Sequence, residues 1–549
     1  MTRSRLLVPL ALLLLAAVLQ AQPSMLWTEG PTASFAYTRF DGHYHAALKK
    51  VFFLGGRLSD GSTDSTIYSY DPVAGTYQNM GVGLPIPVSN YNIATFNNHT
   101  GADSIILIVV GGRNASGAGI TNLQLYYPAS NGVANYTSDP WPGTVSGGVT
   151  QPAEGCITYG NKTYAFGGFN ATNSPYMSDS TFIFDATLPM GSRWIRGPVL
   201  SQARGYIAPA VVNGMIYAIG GCTYTGSALV AQTTVERLDP ANLPGGWQTM
   251  AQLPTGIGEA QAFGFDTGDK YGLGGYIILA GGGAWPGDTA VCFIYNVAGN
   301  AWTSFPWSLG YNRRDHGGAM ITDTLFSGGN PGIWVFGGRS GSDANVLTIP
   351  EYIPMPFPPL YVDATPMPYS AFLSWQGMSG TVLGYKIYRG TASGGPYDSI
   401  GFSAVNSYTD NSAPAGNTYY YVVKARYQID GKAAESMYSP EAACYVGVAG
   451  GPPAGLPASF QLVGCRPNPV AGQADIRFAL PRDGYVCLGI YGSSGQLVRR
   501  LVDRDFPAGW HQVRWNGRTD GGERAASGVY FVRISSGDFT ATSRMTVIR

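Results

Sequence analysis

The residues best suited to chemistry are a few arginines, carboxylates and histidines at repeated distances from glycine pairs. Arg39 and Arg204 each stand 16 residues before such a pair, Gly55-Gly56 and Gly220-Gly221. Arg313-Arg314-Asp315-His316 runs 24 to 21 residues before Gly337-Gly338, and Glu154 and Glu259 fall in comparable stretches. Arginine grips carboxylate, phosphate or sulfate through a fork of donors, and a carboxylate beside it makes an acid–base pair. Arg39, Arg204, Arg313, Arg314, His316, Glu154 and Glu259 are therefore the candidate ligand-binding residues, set on a polar rim just before predicted strands. The bland use of the same arginines is structural, a guanidinium bonded to strand-end carbonyls.

Stronger signatures of catalysis are missing. No GxSxG elbow, Walker loop or HExxH helix occurs. The five histidines are His43, His45, His99, His316 and His511. His43 and His45 alternate on one predicted strand and would share a face. The cysteines (Cys156, Cys222, Cys292, Cys444, Cys465 and Cys487) are far apart and none forms a CxxC pair. Cys465 and Cys487 could pair within one small domain, or all six could be buried thiols. No catalytic residue, metal or cofactor is assigned, and binding ranks ahead of catalysis.

What positions the candidates is a repeat. An aliphatic-aromatic run ending in Gly-Gly occurs six times, with first glycines at Gly55, Gly111, Gly167, Gly220, Gly281 and Gly337, at spacings of 56, 56, 53, 61 and 56. A second apolar run ending in a turn residue follows, as in Tyr68-Ser69-Tyr70-Asp71-Pro72 and Phe182-Ile183-Phe184-Asp185. An aromatic then opens a last strand: Tyr77, Tyr136, Trp194, Trp247 and Trp302. The pattern resembles the kelch repeat, whose units each form a four-stranded blade of a β-propeller. The resemblance implies a six-bladed propeller over residues 25–356, with the candidate rim at the mouth of its channel. The sixth copy has an apolar strand at Val346-Leu347-Thr348-Ile349 but no following aromatic, whereas an orphan Trp27 precedes the first copy. The N-terminal strand around Trp27 is thus expected to complete the sixth blade and close the ring.

Kelch propellers include binding proteins and some enzymes. Copper chemistry of the galactose-oxidase kind would need two His and two Tyr, one cross-linked to Cys. His43, His45 and His316 supply no matching set with a cysteine. A sugar mutarotase or epimerase would use Glu154 or Glu259 with Arg204.

Two further β regions follow. Pro354, Pro356, Pro358 and Pro359 read as a stiff linker. Phe372-Leu373-Ser374-Trp375, Tyr385-Lys386-Ile387-Tyr388-Arg389 and Tyr419-Tyr420-Tyr421-Val422-Val423 then resemble a fibronectin type III domain, residues 359–447. After a linker at 448–458, residues 459–549 carry Arg466-Pro467-Asn468-Pro469, a turn at Asp520-Gly521-Gly522 and Ser527-Gly528-Val529-Tyr530-Phe531-Val532. This region resembles the C-terminal sorting domain of the bacterial type IX secretion system, related to the Ig-like domain of flagellar hook-capping proteins. The expected fold class is all-β: a propeller plus two β-sandwiches.

Composition narrows the partners. The 549 residues include 76 glycines, about twice the usual share. Lys plus Arg (33) equals Asp plus Glu (33), and charged residues are only 12%, which argues against a nucleic-acid partner. From Arg466 onward, 12 Arg face seven Asp and Glu, a local excess of five. Arg3 and Arg5 followed by the apolar run Leu6–Leu19 and Ala21 read as a secretory signal over residues 1–21. Fourteen apolar residues are too few to span a bilayer, and no later transmembrane segment is expected. The leading expectation is a secreted, surface-displayed protein that binds an extracellular protein or glycan and meets the type IX machinery through its last domain.

Overall fold

Six antiparallel four-stranded sheets follow one another around a common channel in the computed structural model. The structure describes residues 27–96, 105–152, 154–170, 174–342, 344–367, 369–447, 460–466, 468, 470, 472–537 and 539–547. The signal segment 1–21, the linker 448–458, His99, Pro467 and Pro469 lie outside the described residues. In the first blade the strands are Gly42–His45, Lys50–Arg57, Thr63–Asp71 and Thr76–Gly83, in spatial order. The innermost strands of the next five are Asn92–Phe96, Cys156–Tyr159, Ala208–Val212, Gln261–Phe265 and Gly317–Ile321. The second strand of each blade is apolar on both faces because both are covered by neighbouring blades: Ile106–Val110 and Gly332–Phe336 are buried throughout.

The glycine pairs end such strands, except the first, Gly55-Gly56, which lies inside Lys50–Arg57, and they touch the next blade. Gly220 has φ +59, and a Cβ there would collide with the Ile257 carbonyl of the following blade. The Gly221 N–H donates to that same carbonyl at 2.8 Å. The same bond joins Gly168 to Arg204 O, Gly282 to Arg313 O and Gly338 to Tyr37 O. The spaced aromatics also act between blades. The indole N–H groups of Trp194, Trp247 and Trp302 donate to the carbonyls of Asp139, Pro198 and Ala251, on the segments leaving the preceding blades.

The outermost strand of the sixth blade comes from the opposite end of the chain. Thr28–Glu29 pairs with Glu351–Pro354, Thr28 opposite Tyr352 and Glu29 opposite Glu351. Trp27 is buried beside it. The third strand is Glu351–Pro354, not Val346–Ile349 as the apolar pattern suggested. The earlier segment is held off the sheet because the Thr348 carbonyl accepts the Ala33 N–H and the Ile349 carbonyl accepts the Arg313 guanidinium.

Residues 362–446 form two facing sheets, one of Val362–Met367, Ser370–Trp375 and Ser407–Asp410, the other built on Val382–Gly390 and Asn417–Ile429. Residues 461–547 form a second sandwich of three and four strands. Cys465 and Cys487 lie in its two different sheets, and all six cysteines are free thiols. The proline-rich passage does not act as a spacer. Pro354 belongs to the sixth blade, and Met355, Phe357 and Leu360 are buried in a core shared by the propeller and the first sandwich. Phe357 donates its N–H to Tyr271 O and accepts from the Tyr427 hydroxyl at 2.7 Å, while Lys270 pairs with Asp430.

A chain that starts after Gly30 loses the outer strand of the sixth blade and leaves an unpaired edge. Its melting temperature by circular dichroism is expected to fall; an unchanged value would sink the closing role of that strand.

Candidate functional site

One residue with left-handed backbone precedes the innermost strand of every blade: Arg39, Asn90, Glu154, Tyr206, Glu259 and Asp315, with φ of 55, 57, 72, 57, 54 and 55°. None is glycine, and the conformation costs roughly 1–2 kcal/mol per residue. Backbone bonds between blades offset that strain. Asn90 N–H donates to Arg39 O, Arg39 N–H to Asp315 O, Asp315 N–H to Glu259 O and Glu259 N–H to Tyr206 O, at 2.8, 2.8, 3.1 and 3.2 Å. These four bonds link the fourth, fifth, sixth, first and second blades in an arc around the channel. Arg39, Asn90, Glu154, Tyr206 and Asp315 crowd together there and fill the mouth of the channel.

A circle of bridges lies against this arc. The residue following each glycine pair is bridged to the lead-in segment of its own blade: Arg57 to Thr38, Arg113 to Ser89, Phe169 to Gln151, Cys222 to Gly205, Gly283 to Gly258 and Arg339 to Arg314. In five blades the partner is the residue just before the left-handed one, and in the third it is Gln151, three before Glu154. Three adjacent blades (sixth, first and second) thereby present arginine, and the other three present Phe, Cys and Gly. The mouth has a basic arc and an uncharged arc.

Buried charges on the basic side are paired. The Asp315 carboxylate lies 3.4 Å from Arg39, 3.0 Å from Arg314 and 3.3 Å from Arg339. Arg314 also reaches Glu259 at 3.2 Å. Arg113 differs: it is half-buried, and among the described residues no carboxylate lies within ion-pair distance of it. Burial first, then the neighbouring Arg39 and Arg57, pull its pKa down to about 10. Burial, then the Asp315 carboxylate, pushes Glu259 up to about 7. Glu154 is raised well above the usual range by burial, then by Asp315 and Glu259, and its Oε2 has no hydrogen-bond partner.

The structure sorts the candidates. Arg39, Glu154 and Glu259 meet at the mouth, and Arg314 lies directly behind. Arg204 and Arg313 do not line a rim. Both are fully buried inside blades, Arg204 against Glu236 at 2.5 Å and Gly220 O at 2.9 Å, Arg313 against Glu351 at 2.6 Å and Gly337 O at 3.0 Å. Each bonds the carbonyl of its blade's first paired glycine, and a glutamate on the blade's third strand neutralises it. His316 is also buried, kept neutral by burial and by Arg313, with its pKa brought down to about 3. Arg57, Arg113 and Arg339 were missed; the signal that identifies them is the residue immediately after each glycine pair.

Behind the mouth, the channel holds a cavity of about 380 Å³ walled by innermost strands, with Asp41, His43, Thr95, Thr158 and Gln261 among its polar residues. His43 is pulled down to about 4 by burial and His45, and His45 itself packs against Phe52. Among the described residues no three His, Cys, Asp or Glu side chains converge as a metal site.

Fold and repeat together define an all-β protein, a kelch-type six-bladed β-propeller carrying β-sandwich domains. The Kelch motif matches residues 203–242, and the FlgD Ig-like domain matches residues 470–538. Alpha-scruin of Limulus polyphemus is 28% identical over 139 residues, covering 24% of this chain and 14% of that protein. The solved structure of YjhT covers 59% of this chain and 96% of its own at 15% identity, with a TM-score of 0.43.

Two outcomes test these assignments. Arg204→Ala strands a buried carboxylate, Glu236, and is expected to destabilise the chain by about 3–5 kcal/mol, read as a lowered melting temperature; a parental melt would refute the buried-pair role. For Glu154 the folded pKa is raised, so its stability effect is nil below the ordinary Glu value and turns unfavourable as pH rises above it. Glu154→Gln removes that loss. It should match the parent at pH 4 and melt higher at pH 8, and a difference that ignores pH would contradict the raised pKa.

Proposed function

We propose that this chain is a secreted, cell-surface-displayed binding protein whose propeller holds an extracellular protein or glycan at the arginine side of its mouth. The observation that carries this reading is the arc of Arg339, Arg57 and Arg113 on three consecutive blades, with Arg113 lacking a carboxylate partner. Arg339 is paired with Asp315, but Arg113 lies beside Arg39 and Arg57 with no carboxylate partner of its own among the described residues, and an anionic ligand group relieves that repulsion. The first sandwich is read as a fibronectin type III-like domain and the last as a type IX sorting domain. The Arg excess of the C-terminal region and the match to the FlgD Ig-like domain support the latter reading. No helix among the described residues is long and apolar enough to cross a membrane.

Because propeller and first sandwich share a core, the full mature chain is the right probe. On a mixed array of glycans and extracellular proteins it should select anionic ligands, and Arg113→Ala should lower that signal by about tenfold or more; equal binding by the variant would overturn the site. Deleting residues 459–549 should leave the protein in the periplasm, and surface display of that truncation would refute the sorting role.

A sugar mutarotase or epimerase is the second reading, and Glu154 favours it: a carboxyl pushed above the usual range beside Arg39 at the mouth. Arg204 takes no part, being committed to Glu236. Polarimetry of sugar anomers decides this, since turnover that survives Glu154→Gln would remove the acid from consideration.

A further inference from the structure

The uncharged half of the mouth has a composition of its own. Tyr206, one of the left-handed residues, faces Phe169 with ring centroids 5.7 Å apart. Phe169 meets Tyr224 edge-on at 5.5 Å, and Tyr224 meets Tyr176 edge-on at 5.1 Å. The four rings form a track that runs outward from the channel axis across the hairpins following the third and fourth glycine pairs, Tyr206 and Phe169 buried beneath and Tyr224 and Tyr176 partly exposed. On the fifth blade's hairpin, Ala284 packs against this cluster, and the next residue, Trp285, is 42% exposed. The track starts beside the basic arc: the Asn90 amide reaches the Tyr206 hydroxyl at 3.5 Å, and the preceding Ser89 is bridged to Arg113.

Charge is nearly absent from these hairpins. Residues 169–178, 222–231 and 283–288 contain one ionisable acid or base, Asp288, apart from tyrosine and cysteine side chains. Asp288 is used internally, accepting the Gly341 N–H at 2.7 Å. What surrounds the rings is hydroxyl and amide: Thr223, Thr225, Ser227 and Gln232 bond one another or nearby carbonyls. An acidic peptide would ask for cations along its whole length. Flat rings with polar tips suit a ligand with apolar faces and hydroxyl edges, and a pyranose ring has that form.

We propose that the aromatic crescent of Tyr224, Tyr176 and Trp285, backed by the buried rings of Phe169 and Tyr206, stacks the sugar rings of an acidic glycan whose anionic group is held by Arg57 and Arg113. This rests on the arginine arc being the ligand site and adds the class of ligand. The glycan runs from the basic arc over the third, fourth and fifth blades. Its anion is a uronate carboxylate or a sulfate ester, both of which a guanidinium fork accepts.

The test is calorimetric titration of the full mature chain with four probes: an oligogalacturonate, a sulfated oligosaccharide, a neutral cello-oligosaccharide and an oligoglutamate peptide. One acidic oligosaccharide is expected to bind, with the neutral chain and the peptide much weaker. Trp285→Ala, at an exposed hairpin tip, and Tyr224→Ala should each weaken it about tenfold, and Arg113→Ala should do so at least as strongly. Tyr224→Phe keeps the ring and should keep most of the affinity. If Arg113→Ala weakens binding while both aromatic variants bind as the parent, the arginine site stands and the crescent is overturned. Oligoglutamate binding more tightly than either glycan, indifferent to the aromatic changes, overturns the glycan in favour of a peptide. No binding of any anionic probe overturns the arginine site as well.

Discussion

The propeller depends on one contact repeated between blades: a glycine N–H donating to a carbonyl of the segment that leads into the next blade. Gly168, Gly221, Gly282 and Gly338 make it to Arg204, Ile257, Arg313 and Tyr37. The preceding glycine leaves room for that carbonyl, which a side chain at Gly167, Gly220 or Gly337 would strike. The glycine pair is therefore a joint between sheets as much as a turn within one. Its last instance, Gly338 to Tyr37, ties the final blade to the first. The pairing of Thr28–Glu29 with Glu351–Pro354 completes the same closure at the outer edge.

With the lead-in segments held at these joints, neighbouring arginines acquire opposite roles. Arg204 and Arg313 turn inward and bond the carbonyl of their own blade's first glycine, each with a buried glutamate. A buried guanidinium requires such a partner, since an uncompensated charge in the interior is costly. Arg39 stands two positions further on, as a left-handed residue, and its side chain turns to the channel axis and Asp315. Burial there also separates the carboxyls: Asp315 contacts three arginines, whereas burial pushes the Glu154 carboxyl well above the usual carboxylate range. A mouth built this way carries a surplus of positive charge on one side only.

The same economy of contacts joins the propeller to the first sandwich. Met355, Phe357 and Leu360 alternate with prolines, and their side chains enter one core with Tyr271 of the fifth blade and Tyr427 of the sandwich. Hydrogen bonds from Gln376 to Tyr276 and from Gly274 to Ser379 add to it. The prolines keep the passage extended, and the apolar residues between them decide that it packs instead of spanning solvent.

Much of this architecture was legible without coordinates. Six apolar runs ending in Gly-Gly, with a spaced aromatic after each of the first five, mark strands covered on both faces and joints that exclude side chains, and both properties are local demands on residue type. An orphan Trp27 at one end and a missing aromatic at the other made the shared sixth blade readable as well. The site was only half legible. Distance from a glycine pair located Arg39, Glu154 and Glu259 but treated Arg204 and Arg313 alike, because spacing counts residues and does not report which way a side chain turns. That direction follows from the left-handed backbone at Arg39 and from partners such as Glu236, 32 residues from Arg204. The segregation of arginines from aromatics around the mouth is likewise a tertiary property. It places Arg339 beside Arg57, 282 residues apart in the chain, because only the closed ring makes the last blade a neighbour of the first.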